Sequence, residues 1–147
     1  MATNYLLKLN VRCNFPCTIL RLYLVYGPCQ DNNRLIPHTL NECLRDNIFM
    51  CSAGKQYRDF LFVEDLIRAI LKCFNNNKSI GEVINIGEGK PRNVRKVILF
   101  IKNKINLGKP VFGKISLRRD EIFRLYPNIA KAKKILNWKP YTSFQKG

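Results

Sequence analysis

The sequence predicts an α/β fold in which helices alternate with the strands of a parallel sheet. Two nearly continuous apolar runs, at 15–26 and 81–87, have the composition of strands buried on both faces. Three segments with helical spacing of apolar residues, at 2–13, 64–74 and 94–105, lie beside these runs. Because the two kinds of element alternate, we expect part of a doubly wound sheet together with a small α/β lobe.

The elements before residue 50 surround the first apolar run. The stripe of the helix at 2–13 consists of Tyr5, Leu6, Leu9 and Cys13. Pro37 begins a second helix that continues to about Asp46, and its inward residues are expected to be Leu40, Cys43 and Leu44. Ligands of open α/β sheets collect beyond the carboxyl ends of strands, so we expect substrate near the loop at 29–34.

The later elements repeat the same alternation. They are a strand at 48–52, a helix at 64–74, a strand at 81–87, a helix at 94–105, an extended segment at 110–117 and a helix at 129–136. The expected apolar face of the helix at 64–74 consists of Leu66, Ile67, Ile70, Leu71 and Phe74. Gly108 is expected to end the helix at 94–105, and Trp138 is expected to dock the C-terminal tail onto the core.

The stretch at 54–65 suggests an anion-binding arginine. Arg58 lies between a turn and an apolar run, which predicts that it stands at the mouth of a strand. Its planar guanidinium group offers a fixed fork of donors to a phosphate or carboxylate. Asp59 is expected on the other side of the strand, where it would hold local backbone. An ordinary surface ion pair is the alternative for this Arg-Asp pair.

Charge is distributed unevenly along the chain. The formal net charge is +16, and residues 90–147 contain sixteen basic and two acidic residues. Such a segment attracts polyanions, so a basic nucleic-acid-binding module is the alternative function. The basic residues are mostly single lysines between apolar residues and asparagines, without arginine-rich blocks or interleaved aromatics. This pattern favours a solvated lysine face and disfavours a nucleic-acid partner.

Length and cysteine usage limit the remaining classes. The 147 residues, 46% of them hydrophobic, are sufficient for one core. No apolar run approaches the roughly 20 residues needed to span a bilayer, so we expect a cytoplasmic protein without a membrane partner. The six cysteines lack Cys-x-x-Cys spacing and His38 is the single histidine. We therefore predict reduced thiols and no metal site.

Five landmarks of the sequence resemble one family. The segment Gln-Tyr-Arg-Asp-Phe-Leu-Phe-Val-Glu-Asp at 56–65 is similar to a motif of the NAD-dependent epimerase/dehydratase family, the extended short-chain dehydrogenases that modify nucleotide sugars. The other four landmarks follow the family's order, at 21–28 (Arg-Leu-Tyr-Leu-Val-Tyr-Gly-Pro), 35–37 (Leu-Ile-Pro), 85–87 (Asn-Ile-Gly) and 132–140 (Ala-Lys-Lys-Ile-Leu-Asn-Trp-Lys-Pro). The resemblance implies the C-terminal part of a Rossmann-like doubly wound sheet.

The resemblance also implies which parts of an enzyme these residues lack. The family's glycine-rich cofactor loop and its Tyr-x-x-x-Lys pair have no match, because none of the six tyrosines has a lysine four residues later. Gly87-x-Gly89 is followed by Arg92 where a dinucleotide fingerprint needs glycine. We therefore expect no catalytic or cofactor-binding residue here, and no turnover by this chain alone. The complete enzyme would use NAD or NADP, would form a homodimer through the helix at 2–13, and would leave no stably bound cofactor on this chain.

The family's substrate-binding positions can be assigned one at a time. Arg58 matches the arginine that grips the diphosphate of a nucleoside diphosphate sugar, and Arg118 matches a second arginine from an Arg-Pro-Gly-Asp region. Arg34 and Leu35 match positions that line the nucleotide and the sugar. Phe49 and Cys51 match positions beside the base, although packed core is the alternative for Cys51. The sequence departs from the family at Leu24 and at Arg119-Asp120, which affects the expected sugar contacts.

The domain organisation follows from these assignments. We expect residues 1–147 to form one C-terminal portion of an epimerase/dehydratase domain. Segments 1–28 and 81–107 would join the sheet, while 29–80 and 108–147 would form the substrate lobe. A lobe that pairs with another chain is a third possibility. The sequence indicates neither the sugar, the base nor the reaction, whether epimerisation, dehydration or reduction.

Overall fold

Helices and short strands alternate along the protein, as a computed structural model of the chain shows for residues 2–147. The helices are α1 (Ala2–Cys13), α2 (Leu35–Leu44), α3 (Val63–Phe74), α4 (Val94–Ile105) and α5 (Ala130–Leu136). The strands are β1 (Ile19–Leu22), β2 (Leu24–Tyr26), β3 (Ile48–Cys51), β4 (Tyr57–Arg58), β5 (Phe60–Phe62), β6 (Val83–Ile86), β7 (Arg92–Asn93), β8 (Lys109–Phe112) and β9 (Arg124–Leu125). The predicted α/β class is confirmed.

Residues 2–25, 59–89 and 127–147 form the first of two compact units. Strands β1 and β6 pair in parallel, from Ile19 opposite Val83 to Leu22 opposite Ile86. The β-branched side chains of β6 fit a pleated buried surface, and β5, α3, α5 and the segment after α5 contribute the rest of the core. That core consists of Leu61, Ala69, Ile84, Ile86, Ala132, Leu136 and Trp138.

Residues 26–58 and 90–126 form the second unit. Strands β3 and β8 pair in parallel, and α2 packs against α4. The core here consists of Cys43, Phe49, Cys51, Val94 and Ile98. Three two-residue strands form a separate mini-sheet in the order β7, β4, β9. These boundaries differ from the predicted lobes, because α3 and α5 pack in the first unit with β5 and β6.

The first apolar run is the clearest difference between prediction and structure. Residues 15–26 form two strands separated by Tyr23, because β1 pairs with β6 whereas β2 pairs with β5. The prediction of burial on both faces was wrong, since Leu22 is 47% exposed and Leu24 is 37% exposed. Among residues 2–147, β1 has one parallel neighbour, and its other edge has no strand to bury it.

Two helices bury a different face from the one predicted. In α3, Leu66 packs against the core as expected, but Ile67, Ile70, Leu71 and Phe74 are exposed. In α2, the inward prediction holds for Cys43 but was wrong for Leu40 and Leu44, which are exposed. The face that packs is decided by the position of the neighbouring elements, and an apolar side chain can remain on either side of it.

The ends of the later elements follow local backbone chemistry. Helix α4 ends at Asn106, which adopts φ 61° and donates its N–H to the carbonyl of Lys102, so Gly108 lies beyond the cap. Trp138 is 1% exposed and its Nε1 donates to the carbonyl of Asp65, 3.0 Å away. The prediction that Trp138 docks the tail is therefore confirmed. No helix in residues 2–147 has the length and apolar character needed to cross a bilayer.

Candidate functional site

Arg58 occupies the centre of the mini-sheet in the second unit. Its strand, β4, is bordered by β7 on one side and β9 on the other. The guanidinium group forms an ion pair with the carboxylate of Glu121 and donates to the carbonyl of Tyr57, 2.9 Å away. The side chain of Arg58 is 14% exposed and that of Glu121 is 19% exposed. Arg58 is therefore held in place by its strand and by a largely buried counter-charge, and its contact with a ligand stays a prediction.

Arg118 belongs to the turn that contains Glu121. The backbone N–H of Glu121 donates to the carbonyl of Arg118 over 3.2 Å, which closes the turn. The Arg118 side chain is exposed, and within residues 2–147 it makes no hydrogen bond or ion pair. Glu121 thus connects the two arginines that were predicted to share a diphosphate, through its carboxylate to Arg58 and through its backbone to Arg118.

The other four predicted positions separate into core and surface. Phe49 and Cys51 are members of the buried cluster of the second unit, and Leu35 packs against that cluster. Burial raises the pKa of the Cys51 thiol above its ordinary value, and the neighbouring thiol of Cys43 raises it further. Arg34 is exposed at the residue before α2. The structure brings Leu35, Phe49 and Cys51 together as packing, and their contact with a ligand stays a prediction.

Metal ligation has no support in the part of the chain that the structure describes. All six cysteines are free thiols, as predicted. No group of three or more histidine, cysteine, aspartate or glutamate side chains is arranged to hold an ion within residues 2–147.

Comparison with known proteins decides the family. The model of the NAD dependent epimerase/dehydratase family matches residues 1–87, more than half of the chain. The chain belongs to this family.

Relatives of known sequence and structure agree with the family assignment. The CDP-abequose synthase of Salmonella typhimurium is 31% identical over 135 residues, which are 87% of this chain and 44% of that protein. The UDP-glucose 4-epimerase of Thermotoga maritima, crystallised with UDP-glucose, matches 99% of this chain and 47% of its own, with a TM-score of 0.90 and 27% identity. The UDP-glucuronic acid 4-epimerase of Bacillus cereus, in complex with UDP-glucuronic acid and NAD, matches 95% of this chain and 45% of its own, with a TM-score of 0.84 and 26% identity.

The chain corresponds to only part of each of these relatives. The chain spans less than half the length of each of these three relatives. It adopts the Rossmann-like α/β fold of the matched part, as the resemblance implied. The relatives of known structure are nucleotide-sugar enzymes, and one of them was solved with NAD bound.

The family implies a nicotinamide cofactor. The glycine turn at 87–89, after β6, is the part of the chain whose backbone N–H groups could bind a cofactor phosphate. The backbone N–H groups of Glu88 and Gly89 donate to the carboxylate of Asp59, over 2.6 and 2.7 Å. A Cβ on Gly87 would come within 2.5 Å of an Asp59 oxygen. A carboxylate therefore occupies the two N–H groups that a cofactor phosphate would need at this turn, and the turn at 87–89 does not fit a dinucleotide phosphate. Asp59 thus holds backbone, as predicted, but that backbone lies 29 and 30 residues later in the sequence and is not local.

Sequence reasoning missed two residues of the mini-sheet. Glu121 follows Arg119-Asp120, where the sequence departs from the family, and its ion pair with Arg58 was not predicted. Arg92 was noticed as a residue that replaces a glycine, although it lies directly opposite Arg58 in the paired strands β4 and β7. Pairing between strands this short depends on tertiary structure, so no signal in the sequence predicts this juxtaposition.

Proposed function

We propose that this chain binds the diphosphate of a nucleotide sugar through Arg58 and Arg118. It would serve as the substrate-binding portion of an NAD(P)-dependent nucleotide-sugar epimerase, dehydratase or reductase. The observation that carries the proposal is the partly buried guanidinium group of Arg58, fixed on β4 beside the turn that contains Arg118. Membership of the epimerase/dehydratase family supports the same ligand class.

The chemistry of the site suits a diphosphate more than a single carboxylate. Each guanidinium group can present two parallel N–H donors to the oxygens of one phosphate. Glu121 forms the existing ion pair with Arg58, and an incoming phosphate would compete for the same donors. Arg118 is exposed and lies three residues before Glu121, so a second phosphate could engage it without breaking a contact.

Turnover is expected to need residues that are not among these 147. The family's tyrosine and lysine pair has no match here, and the donors after β6 are already bound to Asp59. We expect a complete enzyme to supply the hydride chemistry with NAD or NADP, and to be a homodimer. Purified chain mixed with NAD and nucleotide sugars should show no change in nicotinamide absorbance, and detectable hydride transfer would contradict this.

Titration calorimetry with UDP-glucose and CDP-glucose tests the binding proposal. Arg58→Gln should weaken binding of the preferred ligand by roughly 10- to 100-fold, because it removes a charge-assisted pair of hydrogen bonds. Arg45→Gln is the matched control, since Arg45 is an exposed arginine of the same unit just after α2. It should change the affinity by less than about twofold.

Two results would contradict the proposal. One is equal weakening by both substitutions, which would indicate attraction to net positive charge. The other is indifference to nucleotide sugars combined with tight DNA or RNA binding that falls steeply with salt, which would favour a nucleic-acid-binding module.

A further inference from the structure

Two arginines face each other across the mini-sheet of the second unit. Strands β4 and β7 are antiparallel, and their register places Arg58 directly opposite Arg92 and Tyr57 directly opposite Asn93. Directly opposed residues of an antiparallel pair project from the same face with Cβ atoms about 5 Å apart. We call the face that bears Arg58 and Arg92 the arginine face.

The third strand of the mini-sheet, β9, identifies the residues on the opposite face. Arg124 on β9 lies beside Tyr57, and its guanidinium carbon is 5.7 Å from the centre of the Tyr57 ring. Successive residues of a strand project from opposite faces, so Tyr57 and Arg124 occupy the side away from Arg58. The mini-sheet therefore has Arg92 and Arg124 on opposite faces, with equal formal charge.

Like charges directly opposite each other destabilise a strand pair unless an anion lies near both. The segment between β8 and β9 brings Glu121 to Arg58, and it also contains Arg118, Arg119 and Asp120. The two arginines and two carboxylates of 118–121 cancel in formal charge, so that segment does not balance the charges of Arg58 and Arg92. The excess is what a ligand with more than one negative charge would balance.

A buried polar group strengthens the argument. Gln56 lies two residues before Arg58, and its carbonyl accepts the N–H of Val94 over 2.9 Å, so the pairing of β4 extends to it. By strand alternation Gln56 projects from the arginine face. Gln56 is 7% exposed, yet its Oε1 has no hydrogen-bond partner among the described residues. A buried amide without a partner on this face would be satisfied by a hydroxyl or another polar group of a ligand.

We propose that Arg92 is a further diphosphate-binding residue, which acts with Arg58 from the arginine face. A nucleoside diphosphate would place one phosphate between these two guanidinium groups, and Glu121 would yield its position on Arg58 to the ligand. Arg92 would then set the preference of the site for a diphosphate over a ligand with one negative charge. This inference rests on the proposed function, because it adds a residue to the same diphosphate site.

The experiment is a calorimetric titration of the full chain with UDP and with inorganic pyrophosphate. Arg92→Gln should weaken binding of both ligands about 10-fold or more, since a charged hydrogen-bonding group is lost. Arg92→Lys keeps the charge but loses the fork of donors. Its affinity for both ligands should therefore lie between that of Arg92→Gln and that of the unsubstituted protein. Arg124→Gln makes the same charge change on the other face, and its affinity for both ligands should stay within about twofold of that of the unsubstituted protein.

The outcomes separate this inference from the proposed function. Binding that Arg58→Gln weakens and neither Arg92 variant changes would overturn the role of Arg92 and leave the proposed function in place. Absence of UDP and pyrophosphate binding by the unsubstituted protein would overturn both. Equal weakening by Arg92→Gln and Arg124→Gln would also overturn the inference, since it indicates charge without a site. Circular dichroism checks that each variant is folded. If Arg92→Gln does not fold, the affinity of Arg92→Lys decides the result.

Discussion

Asp65 is a buried carboxylate that fastens the C-terminal segment of the first unit to α3. Its two oxygens accept the backbone N–H groups of Tyr141 and Thr142 over 2.8 and 2.9 Å, and Arg68 forms an ion pair with it over 2.5 Å. Trp138 donates to its backbone carbonyl. One acidic residue in the first turn of a helix thus organises four separate contacts, in addition to its favourable place near the helix N-terminus.

Replacement of Asp65 by asparagine should lower the free energy of unfolding by roughly 3 kcal/mol, because it removes the ion pair with Arg68 and weakens the hydrogen bonds from the N–H groups of Tyr141 and Thr142. Urea unfolding followed by the fluorescence of Trp138 measures this, since Trp138 is the single tryptophan and lies within the contact. Glu64→Gln is the control. Its side chain is 64% exposed, and the change should be below about 0.5 kcal/mol. Equal effects of the two substitutions would contradict this role of Asp65.

Acid should remove the contribution of Asp65. Burial alone would raise the pKa of this carboxyl group, but the N–H groups of Tyr141 and Thr142 and the Arg68 guanidinium outweigh burial and lower it. A folded-state pKa below the unfolded value of about 3.9 gives stability that is present above that pH. The contribution disappears as the pH falls through the lowered folded-state pKa. The difference in unfolding free energy between the unsubstituted protein and Asp65→Asn should therefore be smaller at pH 2 than at pH 7.

The junction between β4 and α4 shows how whole elements position Arg58. The first N–H groups of a helix lack partners within it, and here the carbonyls of Gln56 and Gly54 accept from Val94 and Arg95 over 2.9 and 3.0 Å. Gly54 has φ +67°, and a Cβ there would come within 2.8 Å of the Arg95 Cβ. The chain before Arg58 is thus packed directly on the start of α4, and only glycine allows that approach.

Substitution of Gly54 by alanine should cost more stability than the same change at Gly113. Both glycines have positive φ, at +67° and +80°, but no atom lies within 4 Å of a Cβ built on Gly113. Gly113→Ala should cost about 1 kcal/mol for its backbone conformation, and Gly54→Ala roughly 1–3 kcal/mol more for the forced separation from α4. Urea unfolding compares the two variants. Equal costs would show that close packing on Arg95 does not hold this junction.

The length of helix α3 was predictable from the sequence, but the face that it buries was not. Its apolar residues cover two faces, and the one that meets the core includes Leu66 and Ala69. The other face exposes Phe74 by 80% and lies next to a cavity of about 350 Å³ lined by residues such as Leu20, Ile70 and Ile80. Helical periodicity gave the length of α3 almost to the residue, but the position of its neighbours decided which face is buried.

At the scale of the whole molecule, local patterns predicted the elements and the parallel sheet of the two apolar runs, whereas pairing between the shortest strands was not predictable. The helices at 2–13 and 94–105 and the strand beginning at Ile48 follow from local periodicity and were found where expected. The opposition of Arg58 and Arg92 joins residues 34 positions apart through two-residue strands, and such pairing leaves no periodic trace. The division into two units also depends on contacts that connect distant segments.

The candidate site was predicted in part for the same reason. Arg58 was identified from a motif, and the structure places it in β4 with a charged partner. Phe49 and Cys51 match family positions, yet they are 5% and 7% exposed and belong to the core cluster. A motif identifies a residue's place in a family, whereas its accessibility to a ligand depends on the packing around it.

The most direct test of the account is a ³¹P NMR titration of UDP-glucose with the full chain, since it observes the diphosphate itself. If Arg58 grips the diphosphate, both phosphorus resonances should shift or broaden as protein is added, and Arg58→Gln should abolish most of the change while Arg45→Gln preserves it. Resonances that stay unchanged at protein concentrations up to about 1 mM, where a ligand held by even one charged pair should be detected, would contradict the assignment of this chain as a nucleotide-sugar-binding unit.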